Sequence, residues 1–103
     1  MSGRKLRISR QAEADMLDIA EYSLRQWGEA QAARYLAQSA GCCRRVADSP
    51  LIGRACPWIL PGLRRIEQGS HVVFFLVGES DVLMARVLHK SMQPERWIDG
   101  EEE

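Results

Sequence analysis

Apolar residues follow two different periods along this chain, and the change between them predicts its architecture. In the first half they recur about every 3.6 residues, which indicates helices over residues 10–27 and 29–47. After residue 62 they form short runs typical of strands, at residues 63–67, 72–77 and 82–88. With a short alternating strand at residues 4–8, the pattern predicts an α+β domain, a helical hairpin packed on an antiparallel β-meander.

The helix boundaries carry their own signals. Ser9 stands where an N-cap belongs, Gly28 is suited to a C-cap, and Asp48-Ser49-Pro50 ends the second helix. Since one glycine separates the helices, we expect them to run antiparallel. The predicted buried faces are Ala12, Met16, Ile19, Ala20, Ser23, Leu24 and Trp27, and then Ala32, Ala33, Leu36, Ala40, Cys43, Val46 and Ala47.

The predicted sheet is apolar on both faces. In the middle strand Val72, Phe74 and Leu76 alternate with Val73, Phe75 and Val77, and in the last strand Leu83, Ala85 and Val87 alternate with Val82, Met84 and Leu88. Strands of this kind are covered on both sides, but the chain offers one helical layer. Residues 50–62 read as a loop, and the tail around Met92 and Trp97 is short. We therefore expect an apolar groove that a different protein or a second copy covers.

Length and charge restrict the class of protein. The 103 residues are 46% hydrophobic and suit one domain, which we place at residues 1–98. Of 14 acidic residues, four lie at 99–103, a tail that we expect to be disordered, so 14 basic residues face 10 acidic ones elsewhere. No run reaches the roughly 20 apolar residues of a membrane span, and no signal peptide is recognisable, so we expect a cytoplasmic protein without a membrane partner.

The sequence offers little catalytic chemistry. Cys42, Cys43 and Cys56 lack the spacing of metal ligands, so we predict neither a metal nor a cofactor. His71 opens the middle strand and His89 ends the last one, and either is a candidate acid or base. Sequence alone does not bring them together, and we assign no catalytic residue.

Binding candidates concentrate on the meander strands. Its basic residues suit a carboxylate-rich peptide, its large apolar residues suit the proposed groove, and an aromatic residue in the preceding loop suits an interface anchor. The candidates are Arg64, Arg65, Arg86, His89, Lys90, Phe74, Phe75, Met84 and Trp58. Arg86 is the first choice because it interrupts an apolar strand.

Several local motifs occur together in a fixed order. They are ADMLDIAEY at 14–22, WG at 27–28, DSPLIGR at 48–54, PGLRR at 61–65, GSHVVFF at 69–75 and RVLHKSM at 86–92. In these motifs the chain resembles ParE-type toxins of the RelE/ParE toxin–antitoxin superfamily. The resemblance implies neutralisation by a ParD-like antitoxin and inhibition of DNA gyrase by protein binding, without sequence-specific nucleic-acid binding.

We consider two alternatives to a gyrase-inhibiting toxin. RelE-type members of the superfamily cleave mRNA on the ribosome, often with a C-terminal tyrosine, but the region after the last strand of this chain has Met92 and Trp97 instead. The other rival is a non-toxic homodimeric interaction module. The expected function is therefore a toxin that acts by binding, with no enzymatic activity of its own.

Overall fold

The computed structural model describes residues 4–98, which form two helices against one side of a five-stranded mixed sheet. The elements are β1 (Lys5–Ile8), α1 (Arg10–Trp27), α2 (Glu29–Asp48), β2 (Arg54–Ala55), β3 (Leu63–Gln68), β4 (His71–Val77) and β5 (Asp81–His89). Short 3-10 turns lie at Pro50–Ile52 and Pro94–Arg96. The predicted helices and meander strands are confirmed to within two residues at each end. The acidic tail at 99–103 lies outside the described residues.

The strand order is β1-β5-β4-β3-β2. Short turns make β3, β4 and β5 antiparallel neighbours, as predicted, whereas β1 pairs in parallel with β5 at the far edge. The prediction that residues 50–62 form only loop was wrong. Arg54 and Ala55 pair with Arg65 and Arg64 and give the sheet a short second edge strand.

Ser9 joins the first strand to the first helix. Its side-chain oxygen accepts a hydrogen bond from the backbone N–H of Ala12 at 3.0 Å, which confirms the N-cap. The same hydroxyl donates to the carbonyl of Ala85 at 2.8 Å, and its backbone N–H donates to the carbonyl of Met84 at 3.0 Å. Ser9 therefore hydrogen-bonds to β5 directly after β1 ends, and this fixes the start of α1 against that strand.

A β-bulge in β5 overturns the predicted face assignment of that strand. Phe75 lies opposite Met84, but Phe74 lies opposite Arg86, so Ala85 is the extra residue. The bulge reverses the alternation after Ala85. As a result Val87 joins Val82 and Met84 in the core beneath the helices, and Leu88 packs in the cluster on the other face.

The outer face of the sheet is covered by the chain itself, contrary to the expected open groove. Its cluster contains Cys56, Leu63, Val72, Phe74, Leu88 and Ile98. Ile59 and Leu60 from the loop and Met92 from the tail pack against these residues. The loop and the tail thus supply the second apolar layer that the two-sided strands require.

The buried helix faces differ in detail from the prediction. Trp27 is 48% exposed at the end of α1 rather than packed in the hairpin core. In α2 both Cys42 and Cys43 are buried, while Ala33 and Ala40 are exposed. The helices do pack as a hairpin, since Ala12 near the start of α1 and Val46 near the end of α2 are buried in the same core cluster. No helix within residues 4–98 is long and apolar enough to cross a membrane.

Candidate functional site

Three of the nine predicted binding residues are enclosed. Phe75 and Met84 are each 0% exposed beneath the helices, and Phe74 is 2% exposed on the opposite face. Their burial follows from their central position in β4 and β5, which have a paired strand on each side over these residues. These three side chains are part of the core and are not accessible to a binding partner.

Arg65 and Lys90 share one acidic residue. The Arg65 guanidinium lies 3.5 Å from the Glu67 carboxylate, and Nζ of Lys90 lies 3.4 Å from it. Arg65 pairs with Phe74 and Arg64 with Phe75, so the two arginines point to opposite faces as strand alternation predicts. Because Glu67 is 57% exposed, solvent screens both contacts and each contributes about 0–1 kcal/mol.

Arg86, the first choice for partner binding, is held within the chain. Its Nε and Nη2 donate to the two carboxylate oxygens of Asp15 on α1, at 2.9 and 2.8 Å. A third donor, Nη1, lies 2.7 Å from the carbonyl of Trp97. The side chains of the pair are 12% and 13% exposed. Arg86 therefore joins α1, β5 and the tail, a role that sequence spacing did not reveal because its partner lies 71 residues away.

A cleft of about 780 Å³ opens beside the edge strand β2, and we call it the arginine cleft. It is lined by Arg4, Ser49, Pro50, Leu51, Ile52, Ala55, Pro57, Gly62, Leu63, Arg64 and Val77. Leu51 is 80% exposed and Ile52 47%. Trp58, which follows the lining residue Pro57, is 70% exposed. The cleft thus combines apolar walls with two guanidinium groups.

Arg64 is incompletely satisfied in this cleft. Its Nη2 donates to the carbonyl of Gly53 and, at 3.4 Å, to the carbonyl of Leu51. Its Nε is buried and has no hydrogen-bond acceptor within the described residues. An unpaired buried donor of this kind costs about 1–3 kcal/mol, and more when the group is charged. The buried Nε leaves the guanidinium without full compensation inside the chain, and its accessible Nη edge is the part that an acceptor from a partner would contact.

A second cleft, of about 510 Å³, lies between the second half of α1 and the ends of β4 and β5, and we call it the histidine cleft. Its lining residues are Asp18, Ile19, Tyr22, Ser23, Trp27, Ser70, His71 and His89. The two histidines are paired across the strands, with ring centroids 5.4 Å apart and planes at 90°. Sequence reasoning selected His89 and weighed His71, and the fold places them side by side.

Tyr35 positions His71 from the second helix. Its hydroxyl lies 2.6 Å from Nδ1 of His71 and donates to the carbonyl of Gln68 at 2.9 Å. A Cβ at Gly69 would lie 2.6 Å from the Tyr35 ring, so a residue without a side chain is required where the ring meets the turn. Sequence analysis did not select Tyr35 because it precedes His71 by 36 residues and lies on another element.

Burial sets the protonation of His71 and of the thiols. The pKa of His71 is lowered from 6.5, mainly by burial and further by the neighbouring His89, while Asp15 opposes the shift. Burial likewise raises the pKa of Cys43 to about 11, with a smaller contribution from Cys42. That cysteine is consequently a protonated, unreactive thiol at neutral pH. Within residues 4–98 no three His, Cys, Asp or Glu side chains are grouped so as to hold a metal ion.

Comparison with known proteins gives consistent results. Residues 6–94 match the family model described as the ParE toxin of the type II toxin–antitoxin system parDE. The chain is 40% identical over 97 residues to Toxin ParE1 of Mycobacterium tuberculosis, covering 93% of this chain and 98% of that protein. It is 43% identical over 86 residues to Toxin ParE1 of Caulobacter vibrioides, covering 84% and 88%.

A solved structure shares the fold. The chain aligns with one from the chromosomal ParDE toxin–antitoxin system of P. aeruginosa with a TM-score of 0.73, covering 84% of this chain and 95% of the other. Sequence identity in that alignment is 18%, so the likeness concerns the fold. It confirms the predicted order of an N-terminal strand, two helices and a meander.

Proposed function

Because this chain belongs to the ParE toxin family of type II toxin–antitoxin systems, we propose that a ParD-like antitoxin neutralises it and that DNA gyrase is its target. The family model and the relatives cover most of the chain, and they establish a toxin of the ParE type. The antitoxin, the gyrase target and a cytoplasmic location are the proposed parts. The observation that carries the antitoxin proposal is the half-buried guanidinium of Arg64 in a cleft with apolar walls.

The arginine cleft is suited to an arm that carries both acidic and apolar side chains. A carboxylate of the arm would form charge-assisted hydrogen bonds with the solvent-accessible Nη edge of the half-buried Arg64 guanidinium, which lines the cleft. Apolar side chains of the same arm would cover Leu51 and Ile52, both of which are exposed. An arm of this composition is what we expect of the antitoxin segment that inhibits the toxin.

Isothermal titration calorimetry with the cognate antitoxin tests this assignment. Replacing Arg64 by Met removes the charge and keeps much of the side-chain length. A buried charged contact of this kind is worth about 2–5 kcal/mol when truncated, so Kd should rise by roughly 30-fold or more. Leu51→Ser provides a second variant, since an 80% exposed side chain leaves the fold unaffected. The matched control is Arg54→Met, an exposed arginine outside this cleft, with an unchanged Kd.

The titration distinguishes antitoxin binding in the arginine cleft from binding at another surface. Weaker antitoxin binding by both cleft variants, with unchanged unfolding curves for Leu51→Ser, supports the arginine cleft as the antitoxin site. Wild-type affinity in both variants would move the antitoxin arm to another surface. A chain that binds no product of a neighbouring gene would contradict the proposal of an antitoxin partner.

The gyrase proposal rests on family membership and is tested with purified components. The toxin should inhibit supercoiling by DNA gyrase and trap its DNA cleavage complex, and added antitoxin should reverse both effects. Normal supercoiling at a large excess of toxin would contradict the proposal.

The paired histidines give the ribonuclease alternative its one supporting observation. His71 and His89 lie close enough for an acid and a base to act on one phosphate. Primer extension on mRNA from induced cells distinguishes the two mechanisms. We expect no new cuts within codons, whereas ribosome-dependent cleavage that disappears in His89→Ala would establish the nuclease instead.

A further inference from the structure

The histidine cleft is a binding site separate from the arginine cleft and opposite to it in character. We infer that it receives a single arginine side chain presented by the protein that the toxin attacks. The inference rests on the proposed function in one respect, namely that the arginine cleft is taken by an acidic antitoxin arm. Four features of the cleft favour an arginine side chain, namely the charge of the cleft, the hydrogen-bond acceptors and aromatic rings that line it, and its volume.

The first feature is an unpaired carboxylate. Asp18 is the acidic residue among the cleft's lining side chains, and it makes no hydrogen bond or ion pair within residues 4–98. Asp15, one turn earlier on the same helix, is saturated by Arg86 and the backbone N–H of Val87. The two acids therefore differ in kind, because Asp15 holds the fold together whereas Asp18 is solvent-exposed at the cleft without a protein partner among the described residues.

The second feature is the tautomer of His71, which the hydrogen-bond network fixes. The Gln68 carbonyl can only accept, so it takes the single hydroxyl proton of Tyr35. The Tyr35 oxygen must then accept from Nδ1–H of His71 across 2.6 Å. Because the pKa of His71 is lowered, the ring is neutral at neutral pH, and its Nε2 carries a lone pair. The cleft thus offers acceptors from both Asp18 and His71.

The third feature is a pair of exposed aromatic rings at the cleft wall. Tyr22 and Trp27 meet edge to face with centroids 6.1 Å apart, and they are 53% and 48% exposed. The face of an indole or phenol ring attracts cations, and arginine most often. A planar guanidinium is also the side chain that stacks on such rings while donating hydrogen bonds at its edge.

Taken together, these groups match a guanidinium and not an anion. A guanidinium has five N–H donors and no acceptor, and the cleft supplies a carboxylate, an imidazole lone pair and aromatic faces. A phosphate would meet Asp18 at close range. The volume of about 510 Å³ is that of a pocket for one side chain or one small ligand. The two clefts require ligands of opposite charge and so take different side chains, and in our proposal the acidic arm occupies one and the target's arginine the other.

The test uses the full chain and N-acetyl-arginine methylamide as the probe, with NMR detection. The chain contains two histidines, both in this cleft, so their imidazole signals report binding there without interference. At pH 7.5 we expect saturable shifts of these signals. The neutral isostere N-acetyl-citrulline methylamide should bind about 5-fold or more weakly because it lacks the charge. Inorganic phosphate should cause no saturable shift.

Variants and pH refine the test. Asp18→Asn should weaken probe binding by about 5-fold, and Trp27→Leu by a similar factor. Asp48→Asn, at the end of α2 and outside the cleft, is the matched control with unchanged binding. Lowering the pH to 5.5 should weaken binding, since protonated His71 loses its acceptor and repels the cation. The groups around His71 that enter this pH response are Tyr35 from α2, His89 from β5, and Asp15, Asp18 and Tyr22 from α1.

The source of the arginine is decided by repeating the titration on the toxin–antitoxin complex. Retained probe binding supports a target-facing pocket that the antitoxin leaves open. Loss of probe binding in the complex would overturn this assignment and make the antitoxin the source of the arginine. Equal affinity for the arginine and citrulline probes, or phosphate binding that strengthens at low pH, would overturn the pocket itself, whatever the fate of the gyrase proposal.

Discussion

The ion pair between Asp15 and Arg86 makes the sharpest prediction about stability. The Asp15 carboxylate accepts three hydrogen bonds of 2.8–2.9 Å, two from the Arg86 guanidinium and one from the backbone N–H of Val87. This ion pair connects α1 to the part of β5 that has no pairing with the four residues of β1. Replacing Asp15 by Asn keeps the shape and one acceptor oxygen but removes the charge that compensates Arg86.

The magnitude follows from the burial of the pair. With side chains only 12% and 13% exposed, a charge left behind by either single substitution stays largely desolvated. Breaking a buried pair in this way costs about 3–5 kcal/mol, a large part of the roughly 5–15 kcal/mol that stabilises a typical domain. For a domain of this size, a loss of about 3 kcal/mol corresponds to a fall in Tm of about 12 °C or more.

Urea unfolding followed by circular dichroism measures the effect in a double-mutant cycle of Asp15→Asn and Arg86→Met. The double variant removes both charges of the pair, so we expect it to lose about 1–3 kcal/mol less than the sum of the single variants. The surface pair of Arg7 and Asp81, whose arginine is 61% exposed, is the control, and Arg7→Met should cost about 0–1 kcal/mol. A similarly small loss for Asp15→Asn would refute the reasoning and make Arg86 available to a partner.

Two further predictions concern a glycine and a histidine. In Gly53→Ala the new Cβ would lie 2.6 Å from the Phe75 ring and 2.8 Å from the Arg65 carbonyl, so the free energy of unfolding measured in urea should fall by about 1–3 kcal/mol. Gly41→Ala, on open helix surface, should instead raise it by about 0.5–1 kcal/mol. Equal effects of the two substitutions would contradict the steric argument. Because the pKa of His71 is lowered in the folded state, the unfolded chain binds more protons below pH 6.5, and the free energy of unfolding should fall as the pH drops through and below that value. The fall should be smaller in His71→Asn, and an identical pH profile in both proteins would show that His71 is not its source.

Local signals in the sequence were sufficient for the two helices and the three meander strands, but not for β2, which exists only through its pairing with β3. A cap residue, a glycine with a positive φ and the spacing of apolar residues act within a few positions, so Ser9, Gly28 and the helical period defined both helices. Alternation in β4 likewise placed Val73 and Phe75 opposite Val72 and Phe74. The same reasoning failed in β5 after Ala85, because a bulge arises from pairing with another strand and leaves no clear mark on the period.

The candidate sites depended far more on tertiary structure. Residue types identified Arg64, Trp58 and His89 as binding candidates, and the fold places the first two at or beside one cleft and the third in another. Nothing local indicated that Arg86 would be committed to Asp15, or that Tyr35 would set the tautomer of His71.

The sequence by itself determined β1, both helices, the meander strands, their order and the family, because each of these follows from short-range spacing or from motifs spread along the chain. Tertiary structure alone decided which charges are paired and which remain available. Pairing depends on contacts between residues far apart in the chain, 71 positions for Asp15 and Arg86 and 36 for Tyr35 and His71, and burial then sets whether a charge is screened by water or must find a partner. For that reason the unsatisfied Nε of Arg64 and the unpaired, exposed carboxylate of Asp18 emerged only from the folded chain.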